Sequence, residues 1–182
     1  MKQELEDLLS KSSVLFDYDT LCKATKTLAQ ALTDDYHDKM PIILCVINGA
    51  IVPISQLLMH MHFPLQLDSI RASRYHGEIK PGNQLTWHAT PLLNLEGRHV
   101  LVFDDILDGG ITLSGISNYC HEEGAETVKT AVMIDKKTKR DEGGLAKADF
   151  TGLEVDGSAF LIGYGMDYKG YLRNLPEVRK VD

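Results

Sequence analysis

The sequence predicts an α/β domain with a mainly parallel sheet flanked by helices. Three observations carry this. The apolar runs IILCVI (42–47), HVLVFD (99–104) and TVKTAVMID (127–135) show little polar alternation, as strands covered on both faces do. Segments with helical spacing fall between such runs, the signature of βαβ units. Gly- or Asp-rich stretches, NGA, DDILDGG and IDKK, lie at the predicted strand ends, where parallel sheets hold ligands.

Taken in order, Leu21, Ala24, Leu28, Ala31 and Leu32 recur at helical spacing, with Asp17 or Asp19 available as an N-cap. Pro41 opens the first buried strand, and IVPISQLLMHM after NGA is a helix. LQLDSIRAS is a second strand leading into RYHGEIKPGNQ, which is rich in turn formers and has no packing pattern. LTWHAT is a strand at the edge of that excursion. HVLVFD follows, then a helix over ITLSGISNYCHEEG ending at Gly124, then TVKTAVMID. ADFTGLEV and SAFLIGY complete the sheet.

A chain of 182 residues suits a single domain, residues 1–182. No apolar run approaches the ~20 residues a membrane span needs. MKQELEDLLSKSS is too charged for a signal peptide, so the expectation is a cytoplasmic protein with no membrane partner. The net charge of -7 argues against a nucleic-acid partner. Cys22, Cys45 and Cys120, an odd count with no CxxC pair, fit reduced and mostly buried thiols. His60 and His62, two apart on the expected helix, would face different ways, which disfavours a metal pair.

The chemistry gathers in VLVFDDILDGGITLSG, residues 100–115. Asp and Gly after a strand often make only a turn. Here Ile106 and Leu107 interrupt the acids, so this is no solvated charge run. Gly109 and Gly110 permit a backbone whose successive N–H groups face one anion, Thr112 adds a hydroxyl, and a helix beginning there adds its positive end. The Walker A lysine and the GxGxxG spacing are both missing. Adjacent carboxylates beside a phosphate loop suit vicinal hydroxyls, and therefore a ribose 5-phosphate.

VLVFDDILDGGITL resembles the motif by which type I phosphoribosyltransferases bind 5-phosphoribosyl pyrophosphate (PRPP). LCVINGAIVP, VMIDKKTKR and AFLIGYGMDYKGYLRNLP are similar to segments of the hypoxanthine-guanine members, bacterial ones above all. The resemblance covers nearly the whole chain. It implies the type I phosphoribosyltransferase fold, with hood elements from the N- and C-terminal segments. It also implies purine salvage: transfer of the phosphoribosyl group to hypoxanthine or guanine, giving IMP or GMP and pyrophosphate.

By position, Asp104 and Asp105 would hold the ribose hydroxyls, and Asp108 would be the general base. Gly109, Gly110, Ile111 and Thr112 would wrap the 5'-phosphate. Asn48, Gly49 and Arg173 would take pyrophosphate, with the Ile47–Asn48 peptide cis in many relatives. Lys136 would donate to the purine 6-oxo group, Phe160 stack on the base and Leu161 offer backbone contacts. Asp167, with Asp104 and Asp105, would face Mg²⁺. A flexible loop of about residues 72–88 would close over the substrates, with Arg74 before Tyr75 at its tip. Small-molecule substrates (PRPP and 6-oxopurines) and a homodimer or homotetramer are the implied partners.

Two positions depart from the pattern. Gly109 stands where many relatives have Thr, and Arg74 where the loop often has Ser; a pyrophosphate contact and a solvated position are both open for Arg74. Two other functions compete with this one: a xanthine-preferring transferase, and a non-catalytic, nucleotide-sensing RNA-binding regulator of the same fold.

Overall fold

The computed structural model describes residues 1–74 and 85–181. Its main sheet has six strands: β2 (Ile42–Val46), β3 (Gln66–Arg74), β4 (Leu85–Ala89), β5 (His99–Leu107), β6 (Thr127–Lys137) and β7 (Phe150–Asp156), in the order β4-β3-β2-β5-β6-β7. All neighbours are parallel except β3 and β4. A smaller antiparallel sheet joins β1 (Ser12–Phe16), β9 (Val178–Val181) and β8 (Phe160–Ile162). Helices α1 (Lys2–Lys11), α2 (Tyr18–Tyr36), α3 (Ile51–Leu58) and α4 (Ile111–Glu122) complete the described chain.

The apolar runs form strands because both faces are covered. Along β2, Ile43 and Cys45 pack into one core with Leu21, Leu28 and Leu32 of α2, while Ile42, Leu44 and Val46 pack into another with Leu113, Ile116 and Cys120 of α4. Burial pushes the Cys45 and Cys120 thiols up to about 12, so both stay protonated, while Cys22 is partly exposed. Asp17 is the N-cap of α2 and accepts from the Thr20 amide at 2.8 Å.

The topology sets the site. From β2 the chain winds outward through β3, and from β5 it winds the opposite way through β6 and β7. The switch point therefore lies between β2 and β5, where Cys45 pairs with Phe103 and the loops after both strands open on one crevice.

Several expectations are corrected. In α2, Thr25 and Ala29 are buried and Ala31 is exposed, because the face against the sheet runs through 21, 25, 28, 29, 32 and 36. Helix α3 stops at Leu58, so His60 and His62 lie beyond it. The strands expected at LQLDSIRAS and LTWHAT form β3 and β4, paired antiparallel from Arg71–Ala89 to Arg74–Leu85, and most of the expected loop between them lies outside the described residues. SAFLIGY forms β8 in the small sheet, not in the main one, and is followed by β9, while β6 passes to β7 without a helix. Helix α1 and strand β1 had no sequence signal strong enough to register.

No described helix is long and apolar enough to cross a membrane. Replacing Asp17 with Ala removes the α2 cap and is expected to cost about 1 kcal/mol in a urea unfolding titration, with an unchanged m-value.

Candidate active site

A cleft of about 290 Å³ opens at the switch point. Its walls include Gly49, Arg74, Asp104, Asp105, Asp108, Gly109, Gly110, Thr112, Asp167 and Arg173. Most of the residues singled out from sequence thus converge. Asn48, Ile111, Lys136, Phe160 and Leu161 are not among its walls, and Tyr75 lies outside the described residues.

Asp104, within β5 and three residues before its end, is 8% exposed, and its Oδ1 accepts from the Asp105 amide at 2.9 Å. Burial pushes the Asp104 carboxyl well up, the charge of Asp105 pushes further, and the Arg173 charge opposes both. Asp105 is also raised by burial, against its hydrogen bond with Asp104 and the charge of Arg173. The Ile47–Asn48 peptide is cis. A Cβ on Gly49 would lie 2.2 Å from Asp105 Oδ2, so the loop after β2 rests directly on the acid pair.

The hood segment closes over the same point. Gly165, at φ +107°, brings its Cα so near the Gly49 carbonyl that a Cβ would stand 2.0 Å from that oxygen. Arg173 donates to the Gly165 carbonyl at 2.6 Å and pairs with Asp167 at 2.5 Å. Half-exposed Phe160 stands edge-on to Tyr168, 6.2 Å between ring centroids, and the Tyr168 hydroxyl donates to Glu4 of α1 at 2.8 Å. Leu161 is buried in the core.

Asp108 sits past the end of β5. Lys136 Nζ, buried at the end of β6, reaches its Oδ2 at 2.9 Å, and Thr138 donates to its Oδ1 at 3.0 Å. Burial pushes Asp108 up, but the hydrogen bonds from Lys136 and Thr138, with the charges of Lys136 and Arg74, hold it below the usual carboxylate range. Gly110, at φ +84°, is the N-cap of α4. The carbonyls of Gly109 and Gly110 accept from the amides of Asp141 and Leu145, both at 3.0 Å. That back-bonding fixes the loop, while the first-turn amides of α4 have no carbonyl within the helix to bond.

Arg140 escaped the sequence reading. Its guanidinium donates to the carbonyls of Leu107 (3.2 Å), Asp108 (2.6 Å) and Lys136 (2.7 Å), and it pairs with fully buried Asp135. One side chain thereby joins the acid loop to the lysine strand. The nearest sequence signal was its place in VMIDKKTKR, but contacts to backbone carbonyls from another strand leave no pattern.

Among the described residues no three His, Cys, Asp or Glu side chains form a metal-binding group. The acid pair and Asp167 supply hard oxygen donors, which fit a Mg²⁺ ion that takes most of its ligands from substrate and water.

A model of the phosphoribosyl transferase domain matches residues 14–169. A hypoxanthine-guanine-xanthine phosphoribosyltransferase of Tritrichomonas foetus is 36% identical over 165 residues, covering 91% of this chain and 88% of that protein. A hypoxanthine-guanine phosphoribosyltransferase of Bacillus subtilis is 32% identical over 178 residues, 98% and 94% of the two chains. Among solved structures, a hypoxanthine phosphoribosyltransferase of Staphylococcus aureus superposes with a TM-score of 0.86 at 25% identity, covering 93% of this chain and 91% of that one. A hypoxanthine-guanine-xanthine phosphoribosyltransferase superposes at 0.79 with 31% identity, covering 93% and 94%.

Two outcomes are expected. Arg140→Met strands the buried Asp135 carboxylate and should cost about 3 kcal/mol, read by denaturant titration; Lys137, 3.5 Å from Asp135, prevents a larger loss. Asp104, with its folded pKa above the unfolded value of 3.8, costs stability while ionised, and that cost fades as pH falls through the folded pKa. Asp104→Asn should therefore raise Tm near neutral pH in Mg²⁺-free buffer, and the gain should shrink as pH falls toward 3.8. A gain independent of pH would contradict this.

Proposed function

Because the chain belongs to the phosphoribosyltransferase family, we propose that the cleft transfers the 5-phosphoribosyl group of PRPP to a 6-oxopurine. The protein is a purine-salvage enzyme of the hypoxanthine-guanine type, forming IMP or GMP and releasing pyrophosphate. The observation that carries the assignment of roles is the Asp104–Asp105 pair at the switch point, set against a loop and helix end suited to an anion.

Cleavage at the anomeric carbon leaves positive charge on the ribose, so the protein must hold the leaving group and exclude water. Asp104 and Asp105 accept hydrogen bonds from the two ribose hydroxyls. The amides of Gly109, Gly110, Ile111 and Thr112, with the Thr112 hydroxyl, wrap the 5'-phosphate. The Asn48–Gly49 backbone and Arg173 receive pyrophosphate. Asp104, Asp105 and Asp167 would hold Mg²⁺ together with substrate oxygens, and the bound ion would neutralise charge on the leaving group.

Phe160 stacks on the purine and Leu161 offers its backbone at the base edge. Lys136 donates to the 6-oxo group and in doing so leaves Asp108. Losing that partner raises the proton affinity of Asp108, which then takes the proton from the purine ring nitrogen. Binding of a 6-oxopurine thus creates the base that the reaction needs. Adenine presents a donor instead of an acceptor at position 6, so Lys136 would stay on Asp108 and the base would not be freed; mismatched polar recognition of this kind can discriminate by ~10⁴-fold. The small sheet with the segment between β8 and β9 forms the hood, residues 1–182 act as one domain, and a homodimer or homotetramer is the expected assembly.

Nucleotide formation from hypoxanthine, guanine, xanthine and adenine, each with PRPP and Mg²⁺, tests this. Turnover of the first two is expected, falling by on the order of 100-fold or more in Asp108→Asn. Efficient use of adenine would overturn the Lys136 assignment, and strong preference for xanthine would revise the base. No turnover of any base by folded protein would favour a nucleotide sensor.

A further inference from the structure

The phosphate end of the cleft lacks charge of the right sign. Residues 108–112 contain no lysine or arginine. A helix N-terminus supplies only about +0.5 of a charge, against about -1.5 to -2 on a monoester phosphate. Asp104, Asp105 and Asp108 add negative charge to the same cleft. Of the two cations among the described residues on its walls, Arg173 is engaged by Asp167 and the Gly165 carbonyl. The other is Arg74.

Arg74 ends β3, two strands away from the phosphate loop, yet its guanidinium lies on that loop. A Cβ on Gly109 would fall 2.0 Å from Arg74 Nη2 and 2.2 Å from Asp141 Oδ2. Arg74 Nη1 pairs with Asp141 Oδ2 at 2.7 Å, and the Asp141 amide donates to the Gly109 carbonyl at 3.0 Å. The space that a side chain at 109 would fill is therefore taken by the Arg74–Asp141 pair. The two departures at 74 and 109 form one arrangement: glycine makes the room, arginine fills it, and Asp141, fastened to the loop backbone, orients the arginine. The charge of Arg74 is also felt at Asp108.

Resting on the functional reading above, we propose that Arg74 binds the ribose 5'-phosphate of substrate and product, as the cationic side chain that the loop itself lacks. A guanidinium presents five donors, so Arg74 can keep Asp141 on one edge and offer the rest to phosphate oxygens. It acts on the phosphoryl group and not on the base.

Calorimetric titration of the full-length protein with GMP and with guanosine, which differ only in the phosphate, tests this. Arg74→Ala should lose about 10- to 100-fold in GMP affinity, the scale of a charge-assisted contact, with guanosine affinity unchanged. Arg74→Lys should recover part of the loss, and circular dichroism should find both variants folded. An Arg74→Ala variant that binds GMP like the wild type, or loses guanosine equally, overturns the assignment alone. A wild-type protein that gains no affinity from the phosphate overturns the functional reading, and this assignment with it.

Discussion

Everything in the site answers to the burial of two adjacent carboxylates. Asp104, buried, and Asp105, half-buried, lie near the carboxyl end of a central strand, and burial raises both. Such a pair is tolerated only if nearby groups are arranged around its charge. Arg173 is drawn in from the hood, Gly49 gives up a side chain so that Asp105 can fit beside the loop after β2, and Gly165 brings the hood backbone onto that same loop. The acid pair is thus the point at which the main sheet, the loop after β2 and the hood meet. Such a pair is set to accept hydrogen bonds from hydroxyl groups or to face a cation.

Around this centre the protein uses backbone more than side chains to set positions. The loop after β5 is held through its own carbonyls by residues 141–145, and Arg140 gathers the carbonyls of Leu107, Asp108, Lys136 and Ala146. With its carbonyls so engaged, the loop is fixed in a shape that leaves amide donors for an anion. The link between β6 and β7 therefore does more than cross the sheet. It is the brace that keeps a glycine-rich loop rigid.

Much of this was legible in the sequence, for physical reasons. Strands buried on both faces are apolar throughout, so β2, β5 and β6 announced themselves, and the acids and glycines after β5 could not belong to a core. What escaped was of two kinds. Helix α1 sets Leu5, Leu8 and Leu9 at helical spacing but buries none of them fully, and β9, VRKV, is half polar. Arg140, Asp141 and the contact of Arg74 with Gly109 depend on segments far apart in the chain meeting in space. A glycine in place of a threonine looks like a lost contact in one dimension; in three dimensions it is room for an arginine.

The small sheet has a kinetic consequence. Its register joins Val14 to Arg179, and Tyr168 reaches back to Glu4, a separation of 164 residues. The main sheet closes through far more local pairings, and its loops with it. Pairings across such separations carry a larger loop-closure entropy than local ones. The small sheet, which joins the two ends of the described chain, therefore raises the contact order of the fold and slows its folding.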